Sequence, residues 1–152
     1  MVNRFKFSQK SLNNLNTCHE DLKTLCNKVI NVTPYDIGIT WGKRTNEEQY
    51  ELFKKGRELN IDSGKWEIYN SAEVVTYKDG ITTFSKHNTQ PYSLAIDFVV
   101  YDENNNVTWK KDYYLLVIGV FYSIANQYNI KIKSGRDFED YGHIELVENS
   151  YD

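Results

Sequence analysis

Ser93-Leu94-Ala95-Ile96-Asp97-Phe98-Val99-Val100-Tyr101-Asp102 reads as a β-strand. Leu94, Ile96 and Phe98 share one face of it, and Ala95, Asp97 and Val99 share the other. Asp97 stands out, because an unpaired carboxylate inside so apolar a run is costly; a partner cation would satisfy it. Downstream, Asn104 to Asn106 make a turn, and Val107 to Trp109 pair back on the strand. Asp112 is placed to cap a helix reaching about residue 128. Its core stripe would be Tyr113, Leu116, Val117, Val120, Phe121, Ile124 and Tyr128. Ile130 to Lys133 and His143 to Val147 read as two further strands.

Upstream, residues 8–30 show helical periodicity in Leu12, Leu15, Cys18, Leu22, Leu25, Cys26, Val29 and Ile30. Ile37, Ile39 and Trp41 alternate as in a half-buried strand. Thr45-Asn46-Glu47-Glu48 is a capping-box pattern for a helix over 46–55, ended by Gly56. Arg44 lies just before that cap, at a strand-to-helix corner. Residues 57–93 are rich in turn chemistry, with a short strand at Val74 to Tyr77. So long a segment without regular pattern suggests a functional surface. The order predicts an α+β fold, a small, largely antiparallel sheet with helices packed on it.

The chain has 152 residues, 40% hydrophobic and 26% charged, which suits one globular domain spanning 1–152. No apolar run reaches the ~18–20 residues of a membrane span. The first residues carry basic side chains but no apolar block, so no signal peptide is expected. A net charge of −3 disfavours nucleic acid as a partner. Cys18 and Cys26, eight apart on one expected helix, are too distant to bond each other and are read as buried free thiols.

The chain holds 3 histidines. His19 falls in the first expected helix and reads as structural. His87 follows Ser85 and Lys86 in the turn-rich segment. His143 opens the last strand, with Ile144 and Leu146 facing the core, so its ring points the other way. Two imidazoles and the Asp97 carboxylate, brought from separate elements, make a common zinc set for hydrolysis, with a fourth position left for water. Such chemistry also needs a base that is not a ligand, and Asp140, just before His143, suits it. Arg44 is the candidate cation for a developing oxyanion.

Several motifs of the chain resemble those of the zinc D-alanyl-D-alanine carboxypeptidase superfamily, and specifically phage endolysins of the L-alanyl-D-glutamate peptidase type. They are Ser85-Lys86-His87, Ala95-Ile96-Asp97, Asp140-Tyr141-Gly142-His143, Gly42-Lys43-Arg44-Thr45 and Thr33-Pro34-Tyr35-Asp36. The resemblance runs from about Phe5 to Val147. It implies zinc held by His87, Asp97 and His143 in a surface cleft, Asp140 as general base, and Arg44 at the substrate or the tetrahedral intermediate. Ser85 and Gln49 would support the substrate groove. The implied partner is the peptidoglycan stem peptide, cut by a monomer with no separate wall-binding module. The implied route is storage in the host cytoplasm until a holin opens the way to the wall. Two departures stand out. The interval from His87 to Asp97 is longer than the simplest family pattern, so Asn88 to Tyr92 should bulge as a loop. Ser134-Gly135-Arg136-Asp137-Phe138 replaces a tryptophan-rich stretch before the base. A D,D-carboxypeptidase or dipeptidase on the same scaffold, and a non-catalytic wall-binding or structural protein, remain the alternatives.

Overall fold

The computed structural model describes residues 5–147. Helices α1 (Gln9–Leu15) and α2 (Glu20–Val32) precede strand β1 (Ile37–Trp41) and helix α3 (Asn46–Lys54). A hairpin of β2 (Arg57–Asn60) and β3 (Lys65–Ile68) leads through irregular chain to β4 (Ala95–Tyr101) and β5 (Val107–Thr108). Helix α4 (Lys111–Gln127), β6 (Ile132–Gly135) and β7 (Asp140–Leu146) complete the order. The main sheet runs β1-β4-β7-β6, with β5 also on β4, and its pairings are antiparallel. The architecture is α+β, as the sequence predicts.

Alternation along the strands gives the sheet two different faces. Ile96, Phe98 and Val100 of β4, with Ile144 and Leu146 of β7, are buried in one core with α2 and α4. Asp97, His143 and Glu145 project from the opposite face. Helix α1 packs along β1, the sheet edge. There Ser11 accepts from the Ile39 amide at 3.0 Å and Asn14 donates to the Ile39 carbonyl at 2.8 Å. Those two side chains satisfy an edge strand that would otherwise expose its backbone.

The expected helix over 8–30 is broken in two. Residues Asn16 to His19 leave the helix because Cys18 forms a parallel bridge with Ser93. The His19 amide donates to the Ser93 carbonyl at 2.9 Å, and the Ser93 amide to the Thr17 carbonyl at 3.0 Å. His19 then caps α2, its Nδ1 accepting from the Asp21 amide at 3.0 Å. Its role is structural, as expected, but at a helix end. Cys18 and Cys26 are both buried and free.

Two other expectations are corrected. Val74 to Tyr77 is not a strand; the strands of this region are β2 and β3. Helix α4 starts at Lys111 with no side-chain cap, and its buried residues are Tyr114, Val117, Ile118, Phe121 and Ala125. Leu116 and Tyr128 are exposed. Tyr114 faces inward because its hydroxyl donates to the Thr108 carbonyl at 3.0 Å and accepts from the Val100 amide at 3.3 Å. Among the described residues, no helix is long and apolar enough to cross a membrane.

Candidate metal centre

Strand register brings the first two ligand candidates together. Asp97 on β4 lies directly opposite His143 on β7 and opposite Trp41 on β1. The side chains of this row share a face, so the Asp97 carboxylate meets the His143 ring from the neighbouring strand. His143 Nδ1 is 3.0 Å from Asp97 Oδ1.

His87 arrives from outside the sheet, on a 3-10 turn over Lys86–Asn88. Ser85 caps that turn, its hydroxyl accepting from the His87 amide at 2.9 Å, while Asn88 returns a bond to the Ser85 amide at 2.9 Å. The turn is stitched to the corner after β1. The Arg44 amide donates to the His87 carbonyl at 2.8 Å, and Asn88 Nδ2 donates to the Arg44 carbonyl at 3.1 Å. Residues 89–92 then loop out, whereas Asn88, expected in that loop, belongs to the turn; Lys43 tethers the loop through Gln90 at 2.6 Å and the Pro91 carbonyl at 2.9 Å. His87 Nε2 ends 3.2 Å from Asp97 Oδ1. One ligand atom from each of His87, Asp97 and His143 lies within 4.8 Å of the other two.

The outer nitrogens of the two rings decide what the inner ones present. His87 Nδ1 is 2.7 Å from the Gly42 carbonyl oxygen, and His143 Nε2 is 3.0 Å from Glu145 Oε1. A carbonyl and an ionised carboxylate can only accept. Each outer nitrogen therefore carries the proton, and a neutral ring turns its lone pair inward. Two lone pairs then face the oxygen of a carboxylate, an arrangement that repels unless a cation sits among them. This donor set fits a divalent metal bound by two neutral imidazoles and one carboxylate.

Without a cation, a proton takes its place. Burial disfavours charge on His143, but bonds to Asp97 and Glu145 outweigh it and push the ring up to about 9. Burial likewise opposes the charge on Asp97, yet the hydrogen bond from protonated His143, with the charge of Arg44, holds its carboxyl well below the usual range.

Arg44 lies behind Asp97, with NH2 2.5 Å from Asp97 Oδ2 and NH1 3.3 Å from Gln49 Oε1. Its guanidinium sits over the Trp41 ring, 4.8 Å from the centroid. Its buried Nε finds no hydrogen-bond partner among the described residues. Gln49 is fully buried and donates to Thr76 at 3.1 Å and to the Lys78 carbonyl at 2.9 Å. Ser85 and Gln49 thus stand behind the His87 turn and Arg44, respectively.

Asp140 is the first residue of β7, paired with Gly135 across a register shift, rather than part of the preceding loop. It is exposed and shares a groove with Asp97, Thr40, Val99, Trp109 and Tyr141. Crowding by protein around its carboxyl, then the charge of Asp97, raise it above the ordinary carboxylate value. The charges of His143, His87 and Arg44 pull the other way. Gly135 makes this approach possible: a Cβ there would lie 3.0 Å from Asp140 Cβ and 3.1 Å from His143 Cβ.

The family model of phage L-alanyl-D-glutamate peptidases matches residues 3–151. The chain belongs to that family. A curated relative, the peptidoglycan L-alanyl-D-glutamate endopeptidase CwlK of Bacillus subtilis (strain 168), is 28% identical over 123 residues. The match takes in 75% of this chain and 62% of CwlK, so the chain spans less than two thirds of that relative. The crystal structure of Serratia marcescens L-Ala D-Glu endopeptidase ChiX superposes with a TM-score of 0.69 at 20% identity. It covers 96% of this chain and 93% of that one. That likeness carries the fold.

In this family member the structure brings together His87, Asp97 and His143, with Arg44 against Asp97. Three contributors were not singled out from sequence. Asn88 follows His87, Trp41 lies beneath Arg44, and Glu145 lies behind His143. Glu145 does carry a signal, since it sits two residues beyond His143 on a strand and so must share its face.

Proposed function

We propose that this protein is a zinc-dependent peptidoglycan endopeptidase that hydrolyses the L-alanyl-D-glutamate bond of the stem peptide. The observation that carries the reading is the convergence of His87 Nε2 and His143 Nδ1 on Asp97 Oδ1, with the outer ring nitrogens held against the Gly42 carbonyl and the Glu145 carboxylate. His87 Nε2, Asp97 Oδ1 and His143 Nδ1 would hold the ion. Zinc bound there would lower the pKa of a water toward about 7 and polarise the scissile carbonyl. The CwlK and ChiX names and the family description support the choice of bond.

The residues of the chain divide the remaining work. Asp140, exposed at the groove, takes the proton of the attacking water and passes it to the leaving amine. A carboxyl raised above its ordinary value is a better proton acceptor than a free one. Arg44 supplies positive charge beside the developing oxyanion. Its attachment to Asp97 and Gln49 holds that charge still. Ser85 and Gln49 support the groove by positioning His87 and Arg44. Storage in the host cytoplasm and release through a holin belong to the same proposal.

The test is a digest of purified peptidoglycan by zinc-loaded protein, read by mass spectrometry, with Asp140→Ala alongside. Stem peptides lacking L-alanine, with L-alanine left on the glycan, are the expected products. Release of D-alanine alone would move the protein to the carboxypeptidase branch. Absence of any product from zinc-loaded wild type would overturn the peptidase reading.

A further inference from the structure

We propose that Glu145 is a positioning residue of the metal centre, fixing the tautomer of His143 and thereby the affinity for a divalent metal. The inference rests on the zinc reading given above and extends it to a residue outside the ligand set. His143 and Glu145 are two apart on β7, so their side chains leave the same face. β7 is an inner strand, with β4 on one side and β6 on the other. Glu145 is paired in register with Ala95 and with Lys133. Its backbone therefore has little freedom, and its carboxylate reaches His143 Nε2 at 3.0 Å.

The chemistry follows from what each group can do. An ionised carboxylate accepts and never donates, so the proton of a neutral His143 ring must reside on Nε2. If the proton moved to Nδ1, it would point at Asp97 Oδ1, 3.0 Å away, and occupy the place of the metal. His87 is governed in the same way by the Gly42 backbone carbonyl, which a substitution can displace but not truncate. Glu145 is thus, among the described residues, the tautomer control that truncating a side chain deletes. Partners of this kind typically change metal affinity by about 10–100-fold.

The experiment titrates zinc against a chromophoric chelator in wild type, Glu145→Gln and Glu145→Ala. In parallel, 15N-edited NMR of the zinc-loaded proteins reads the His143 ring. In wild type, His143 should show a slowly exchanging proton on Nε2 and a metal-bound Nδ1. Glu145→Ala should bind zinc about 10–100-fold more weakly and lose the protection of that proton. Glu145→Gln keeps an acceptor oxygen, so it should recover most of the affinity while the Nε2 proton resonance moves upfield. Wild-type affinity in Glu145→Ala would overturn the inference and leave the zinc reading intact. Should the alanine variant not fold, an unchanged Nε2 proton in Glu145→Gln would overturn it equally. Failure of wild type itself to bind zinc would overturn the reading beneath.

Discussion

Substituting Gly42 by alanine tests whether the corner that carries Arg44 also governs His87. Gly42 is buried where β1 ends, against the C-terminal end of α1. A Cβ there would overlap the Asn14 carbonyl oxygen and Thr17 Oγ1 and stand 2.9 Å from Cys18 Sγ. None of the three can yield cheaply. Thr17 Oγ1 accepts from the Lys43 amide at 2.8 Å, and Cys18 is held in its bridge to Ser93. The corner itself must move, and it takes with it the carbonyl that His87 Nδ1 meets at 2.7 Å. Overpacking of this kind costs about 1–3 kcal/mol, and an unsatisfied buried imidazole about 1–3 more. The expected loss is about 2–6 kcal/mol. With a urea slope of about 2 kcal/mol/M, the midpoint falls by about 1–3 M.

Gly119→Ala is the matched control. Gly119 is exposed inside α4, and nothing lies within 4 Å of an added Cβ. Alanine there should stabilise by about 0.5–1 kcal/mol through helix propensity alone. Both variants are unfolded in urea with a chelator present, so that no metal contributes. Zinc affinity is measured separately and should fall in Gly42→Ala only. A Gly42→Ala protein as stable as wild type would refute the packing argument. A destabilised one with undiminished zinc affinity would refute the link to His87.

Asp140→Asn should retain zinc, because Asp140 is not among the converging ligand atoms, and lose at least ~100-fold in turnover; loss of the metal on elemental analysis would make it a ligand. Cys18 and Cys26 should resist iodoacetamide in the folded protein and react in urea, since burial pushes the Cys18 thiol up to about 11 and that of Cys26 well above its usual value; rapid alkylation of folded protein, seen by intact mass, would contradict their placement. In metal-free protein, His143 is raised from 6.5 to about 9 in the fold, so its contribution is complete below pH 6.5 and is lost as pH rises through about 9. The loss is on the order of 3 kcal/mol, and a urea midpoint that does not fall between pH 6.5 and 9.5 in chelator would exclude it.

What was legible in the sequence is what local chemistry determines. Asp97 announced itself as the one carboxylate in an apolar strand, and that strand is the centre of the sheet. Thr45 and Glu48 form both bonds of the capping box. Illegible features depend on partners distant in the chain. The break after Leu15 has no glycine or proline to mark it; it is made by Ser93, far downstream. The face of α4 was misjudged because Leu115, Leu116 and Tyr122 make the helix apolar on its exposed side too. Periodicity cannot choose a face when both are apolar. The β2–β3 hairpin escaped notice because Leu59, Ile61 and Ile68 are exposed in it, so its strands show no buried face. For the candidate site, the convergence of His87, Asp97 and His143 was readable. The control of their tautomers was not, because it needs the register that sets Glu145 beside His143 and the corner that sets Gly42 beside His87.

That control bears on what removing the metal should do. In small domains built around a structural zinc, the free energy of binding the ion is the free energy of folding, and the fold is lost with it. Here every ligand candidate has a second attachment. His87 is held by Gly42 and its capped turn, Asp97 by Arg44, and His143 by Glu145 and two neighbouring strands. The apolar core lies on the other side of the sheet and shares none of these side chains. Near neutral pH, a proton on His143 can stand in for the ion between it and Asp97. Metal removal should therefore leave the circular dichroism spectrum and a cooperative urea transition in place. A chain that unfolds on chelation at pH 7 would show that the second attachments do not suffice, and that the cation holds the His87 turn against the sheet.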